Sequence, residues 1–169
     1  LRRIHAASIA LDAQIARGAF QRILGETSKD SPASTWQIAN LGAVLDALLK
    51  RVRITPQVVD DTTGTLLTSV QGALSAAGFR VSADDTAEFI LDVNLALEDT
   101  GIRDDWHWSR GVLKLTLTER ISGRSRGSIS WVIKAAGRSN SDAEQRIAEK
   151  SDSLLKRQIR VSIIKLATK

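Results

Sequence analysis

Cysteine, methionine and tyrosine are absent from the 169 residues of this chain. Without cysteine there is no disulfide framework, no thiolate metal ligand and no cysteine nucleophile. Histidine occurs only at His5 and His107, so the chain can barely supply a zinc centre, which takes three or four ligands rich in nitrogen and sulfur. No apolar run approaches the roughly 18 residues that a membrane-spanning helix requires. A strand–GxSxG–helix elbow is missing, and "GRSRG" at 123–127 lacks the lysine and spacing of a phosphate-binding loop, so it reads as a flexible basic turn. A chain that starts at Leu1 and holds no methionine is expected to be a processed or trimmed product, leaving room for a signal peptide or lipid-anchor segment upstream.

What is present describes an ordinary globular chain. Hydrophobic residues make up 43% and charged residues 25%, enough for one core or for one domain with a helical appendage. Lys and Arg number 24 against 19 Asp and Glu, a net charge of +5. The basic residues are spread over Arg2 and Arg3, "KRVR" at 50–53, Arg120 to Arg126, Lys156, Arg157 and Arg160. Acids are interleaved among them, which suits a solvated mixed surface better than a one-faced nucleic-acid footprint.

Periodicity divides the chain into an amino-terminal helical segment, 1–50, packing on a main domain, 51–169. A first helix is expected over 4–24, with Ile4, Leu11, Ile15 and Ile23 on its apolar side and Gly25 as its cap. "ETSKDSPAS" breaks the pattern, and a second helix starts at Ser31-Pro32 and carries Ile38, Leu41, Leu45 and Leu48. Val52, Ile54 and Val58 predict a strand in which Pro56 requires an edge or a bulge. A helix follows with Leu66, Val70, Leu74 and Ala77 on one stripe, closed by Gly78. In "AEFILDVNLALED", Phe89, Leu91, Val93, Leu95 and Leu97 point one way and Asp92, Asn94 and Glu98 the other. "GVLKLTLTERIS" and "SISWVIKAAG" repeat that alternation across the turn "SGRSRG", giving an antiparallel meander. Ser141 and Glu144 form a capping-box pair for a helix from Asp142 to about Lys156. "QIRVSIIKLA", rich in β-branched residues, is expected to be a last strand, with continued helix as the alternative. The expected fold is α+β: two helices, then β-α-β-β-β-α-β, with helices on one face of a mostly antiparallel sheet.

Against this background "GIRDDWHWSRG" at 101–111 stands out. Asp104, Asp105 and His107 suggest a metal or acid–base site, but aspartates beside glycine between strands are ordinary turn formers. If the strand holding Leu113, Leu115 and Leu117 extends back to residue 106, His107 falls on its inward face. Trp106, Trp108 and Arg110 then join Lys114 and Thr116 outside. Exposed indoles beside Arg103 and Arg110 would make a binding patch. A bulge at Gly111 would flip the parity and bury them.

The segment "WVIKAAGRSNSDAEQRIAEKSDSLLKRQIRVSI" resembles one shared by small bacterial outer-membrane lipoproteins of the LPP type, in which a strand ends in a small-residue and glycine turn, followed by an alanine-spaced helix and a "QI-V-I" strand. The helix closing in "AAGF", the strand "FILDVNLAL" and the strand–turn–strand "LKLTLTERISGRSRGSIS" are similar to the amino-terminal domain of the Tol–Pal translocation protein and to LptE-like domains. The resemblance covers roughly residues 55 to 166. The amino-terminal helical pair stands outside it, although "ASIALDAQIARGAFQRIL" faintly echoes the later alanine-spaced helix. It implies a non-catalytic module of the periplasm or the periplasmic face of the outer membrane, without cofactor or metal, whose partners are other envelope proteins or a second copy of itself. Membrane association would then depend on a removed anchor. The alternative expectation is a nucleic-acid-binding module in which Arg120, Arg124 and Arg126 meet phosphates and Trp106 and Trp108 stack on bases. A small hydrolase built on Asp104, Asp105 and His107 is the third.

Overall fold

Leu113, Leu115 and Leu117 are fully buried while Lys114, Thr116 and Thr118 face outward, so the strand they predict forms with its alternation intact. The computed structural model describes residues 2–23, 32–59, 65–83 and 86–167. In chain order the elements are α1 (Arg2–Ile23), α2 (Pro32–Leu49), β1 (Arg53–Val59), α3 (Thr65–Ala76), β2 (Arg80–Val81), β3 (Phe89–Arg103), β4 (Trp106–Glu119), β5 (Ser125–Gly137) and α4 (Asn140–Ala167). The strands form one open sheet in the order β2-β1-β3-β4-β5. β1 runs parallel to β2 and β3, whereas β3, β4 and β5 form the antiparallel meander.

The fold is α+β as expected, with α3 and α4 packed on each other and on one face of the sheet. Phe89, Leu91 and Val93 of β3, the leucines of β4 and Ile133 of β5 form that inner face. Val70, Ala73 and Leu74 of α3 close over it, as do Ile147, Leu155, Ile159 and Ile163 of α4. Ile4 of α1 and Leu45 and Leu49 of α2 are buried in the same cluster. Arg160 of α4 donates to Asp46 of α2 across 3.0 Å. Gly25 and the breaker through Ser31 lie outside the described residues, as does the side chain of Ile38.

Four local differences from the sequence expectations have clear causes. First, "QIRVSIIKLA" is not a strand: α4 runs without a break to Ala167, so the order is two helices and then β-α-β-β-β-β-α. A strand there would alternate Ile159, Val161 and Ile163 on one face, yet Val161 is exposed. The buried set from Leu155 onward is Leu155, Ile159, Ser162, Ile163, Ile164, Leu166 and Ala167, a helical spacing that packing rewards despite the β-branched residues. Second, the fifth strand is instead β2, a two-residue stretch after Gly78. Third, Pro56 sits in a strand with neighbours on both sides, but β2 reaches only Arg53 and Ile54. Ile54 O accepts from Ser82 N at 3.0 Å on that side, so the Pro56 nitrogen faces a gap where β2 has ended and no ladder donor is lost. Fourth, α4 is capped at Ser139 rather than Ser141: the Asp142 amide donates to Ser139 Oγ at 3.2 Å. Glu144 accepts instead from the Asn140 side chain at 2.9 Å.

α4 lies close because the inner face narrows to small residues toward the hairpin end. Ser109, Gly111, Ala135 and Gly137 are all buried there. A Cβ on Gly111 would come within 2.5 Å of Ile147 Cγ2, and one on Gly137 would strike the Ala143 backbone nitrogen. Ser109 Oγ donates to Asn140 Oδ1 at 2.9 Å, which satisfies this buried hydroxyl and ties β4 to the start of the helix.

Gly111→Ala is therefore expected to destabilise by about 1–3 kcal/mol through overpacking, lowering the thermal midpoint by roughly 2–10 °C. Combined with Ile147→Ala it should cost less than the sum of the two single changes, because the opposing methyl is gone. Urea unfolding of the four forms checks both statements. The Asp142 carboxylate is held below its ordinary range by the Arg138 backbone amide and by Arg146. Its folded value is thus depressed, so its contribution is full above the unfolded value of roughly 4 and fades as pH falls through the folded one. The stability gap between wild type and Asp142→Asn, measured by thermal unfolding, should be widest near neutrality and shrink below about pH 4.

Candidate functional site

β3 and β4 form a long hairpin closed by Asp104 and Asp105, both left-handed with φ of 52° and 62°. That is the geometry of a two-residue turn matched to strand twist, and aspartate tolerates it better than most residues. Arg103 pairs with Trp106 as the last rung. One irregularity interrupts the ladder, and it lies on β3: the register jumps from Asp99↔Ser109 to Gly101↔Trp108, leaving Thr100 as the extra residue. Gly101 has a φ of +90° and donates its amide to Asp99 Oδ1 at 2.8 Å. Thr100 Oγ1 donates to the Trp108 carbonyl at 2.9 Å.

Because the bulge is on β3, β4 keeps one parity from Trp106 to Glu119. Gly111 is an inner-face residue, not a bulge, and the indoles stay outside: Trp106 is 40% and Trp108 38% exposed. Residues of the other parity alternate inward, His107 half-buried and Ser109 buried. On the outer face Trp108 lies beside Arg110, whose guanidinium is 3.7 Å from Glu98 across the ladder. Arg103, Val132 and Lys134 complete a shallow cleft of about 710 Å³ around Trp108. An exposed pair such as Arg110–Glu98 adds little stability, at most about 1 kcal/mol. Its consequence is to tether the guanidinium across the ladder on the face that carries Trp108.

The basic turn is a separate place. Gly123 has a φ of +65° and donates to the Glu119 carbonyl at 2.9 Å. Arg126 donates to Glu119 Oε2 at 3.2 Å, and Ser122 Oγ donates to the same oxygen at 2.8 Å. The Ser122 hydrogen bond, with Arg126 behind it, holds the Glu119 carboxyl below its ordinary range. Arg120 reaches Thr55 of β1 at 3.5 Å, and Arg124 is exposed. Arg120, Arg124 and Arg126 sit at the far end of β4 from the indoles, roughly 40 Å away at about 3.3 Å per residue. The structure does not bring them together with Trp106 and Trp108 on one contact surface. Asp104 and Asp105 are the hairpin turn, and the described residues contain no cluster of three or more metal-ligating side chains. The His5 side chain lies outside the described residues.

Sequence reasoning missed Val132, Lys134 and Glu98 as members of the cleft. The period-two pattern of β5 puts Val132 and Lys134 opposite in parity to Trp131 and Ile133. Only the cross-strand register places them beside Arg110.

No family model and no curated protein matches the chain. Among solved structures, a minor lipoprotein from Acinetobacter baumannii is similar at a TM-score of 0.50 and 16% identity, covering 67% of this chain and 92% of that one. Lipoprotein GNA1162 from Neisseria meningitidis is similar at 0.44 and 14% identity, covering 66% and 100%. A PelC dodecamer from Paraburkholderia phytofirmans is similar at 0.45 and 14% identity, covering 69% and 86%. The chain thus shares its fold with a bacterial lipoprotein.

Proposed function

We propose that this chain is a non-catalytic accessory or adaptor module of the bacterial cell envelope, working in the periplasm or at the periplasmic face of the outer membrane. It acts by binding other envelope proteins, through the outer face of its sheet around Trp106 and Trp108 and through an open sheet edge. The finer likeness to LPP-type lipoproteins belongs to this proposal, as do the absence of a catalytic role and of any cofactor. The observation that carries it is the uncovered outer face. β4 buries every leucine on one side and presents two indoles and Arg110 on the other, with Arg103 of β3 across the last rung, and aromatic and arginine side chains dominate the energetics of protein contacts. The fold shared with a bacterial lipoprotein supports the envelope assignment. No described helix is long and apolar enough to cross a membrane.

The variant Trp106→Ala/Trp108→Ala tests the proposal. Its far-UV circular dichroism and cooperative thermal transition should persist, since both side chains lie on the outer face. Capture of envelope proteins from a detergent extract by the immobilised chain should fall at least tenfold, in line with hot-spot losses of about 2 kcal/mol or more. Loss of folding would make the indoles structural, and undiminished capture would move the contact elsewhere.

A further inference from the structure

β5 is a lateral edge of the sheet, and its open backbone groups can be assigned residue by residue. Along a strand, successive residues turn their backbone groups to opposite neighbours. The Glu119 amide donates to the Arg124 carbonyl on the β5 side, whereas the Arg120 amide donates to Glu88 on the β3 side. Odd-numbered residues of β4 therefore serve β5 and even-numbered ones serve β3. Arg110 turns to β3, so Lys134, its partner on β5, turns away from β4. The amides and carbonyls of Ser130, Val132 and Lys134 thus point out of the sheet, where no described strand pairs with them.

One of these groups is held by a cation. The Lys134 carbonyl accepts from Lys150 Nζ of α4 at 2.8 Å. Beside it a trough of about 520 Å³ runs between β5 and α4. Its floor is apolar, made by Trp131, Ile133 and Leu154 against the core. Its charge is one-sided: Lys134, Lys150 and Arg157, all exposed, line it against one acid. That acid, Glu149, already accepts from Gln145 at 3.2 Å.

We propose that the β5 edge receives an extended acidic segment of a partner protein as an added strand. Backbone pairing with Ser130, Val132 and Lys134 supplies the hold, and alternate side chains of the segment enter the trough. An incoming amide displaces Lys150 from the Lys134 carbonyl. The freed ammonium then needs an anion, which an aspartate or glutamate on the trough side provides beside Arg157. A neutral or basic strand takes the ammonium's partner away and returns nothing, so Lys150 makes the edge selective. A second copy pairing β5 to β5 is a poor occupant, because it sets two groups of Lys134, Lys150 and Arg157 side by side. An anionic lipid surface meets the cations but leaves the outward amides without acceptors in a strand. The inference rests on the docking role proposed above and names the partner's chemistry at the edge.

Amide-resolved NMR of the whole chain at about 50 mM salt, titrated with a short synthetic peptide of alternating glutamate and valine, tests it. The peptide is expected to bind and to slow hydrogen exchange at the Ser130, Val132 and Lys134 amides. Lys150→Glu/Arg157→Glu should weaken binding at least about tenfold and should bind a peptide of alternating lysine and valine instead. Val132→Pro removes one outward amide and leaves the β4 ladder whole, so it should also lose about tenfold. The glutamate peptide methylated at every amide keeps its charge but cannot donate, and it should not bind, a result that does not depend on how the proline variant folds. Trp106→Ala/Trp108→Ala should bind the peptide like the wild type. The assay uses the purified chain, so it can fail while capture of envelope proteins still depends on the indoles. No binding up to about 1 mM peptide, equal binding of the methylated peptide, or unchanged exchange at the three amides would overturn the inference. So would loss of binding in the tryptophan variant, which would place the contact on the outer face. Tighter binding to anionic phospholipid vesicles through Lys150 and Arg157, with those amides left unprotected, would also overturn it by giving the trough to a lipid surface.

Discussion

Ile147 lies directly over the bare backbone of Gly111, and the two-layer architecture depends on how near α4 can come at that point. A strand with a side chain there would push the helix off the meander and open the core between Leu113, Leu115 and Leu117 and the buried stripe of α4. The taper from leucines at one end of the inner face to Ser109, Gly111, Ala135 and Gly137 at the other lets a straight helix lie across a twisted sheet. Close approach also fixes parity. With Gly111 inward, every even-numbered residue of β4 must point out, and Trp106 and Trp108 are carried to the surface with them.

The functional consequences descend from that one-sided packing. Among the described residues, α3 and α4 cover a single face of the sheet and no element covers the other. Four of the exposed apolar side chains of the meander, Trp106, Trp108, Ile102 and Val132, lie around the hairpin and its neighbour β5, and Ile121 lies in the turn at the opposite end. At the opposite end Arg126 is engaged by Glu119 and Arg120 by Thr55, while Arg124 is exposed. A sheet with one face uncovered by the described residues has room for the contact that the proposed adaptor role requires.

The alternation in β3, β4 and β5 was legible because a half-buried strand writes its two faces into alternate residues. That pattern was enough to make Trp106 and Trp108 depend on Gly111 alone. Other features were hidden for physical reasons. Val161 keeps the end of α4 looking like a strand until its exposure shows that the buried set follows a helical period. Ser139 takes the cap because Gly137 has already brought the chain against Ala143, two residues ahead of the Ser141–Glu144 pair. Glu98, Arg110 and Lys134 share a row only through cross-strand register, which one strand's sequence does not contain. The bulge at Thr100 was sought at Gly111 instead. Both segments hold a glycine, but only Gly101 needs a positive φ.

A chain without cysteine allows a direct measurement of the sorting on β4. Single cysteines placed in turn at 106, 108, 110, 112, 113, 115 and 117 can be labelled with a thiol reagent under native conditions. The account predicts fast labelling at 106, 108, 110 and 112, and protection at 113, 115 and 117 that is lost only on global unfolding. Protection at 106 and 108 together with reactive positions beyond 111 would mean that the parity changes at Gly111, and the uncovered aromatic face would not exist.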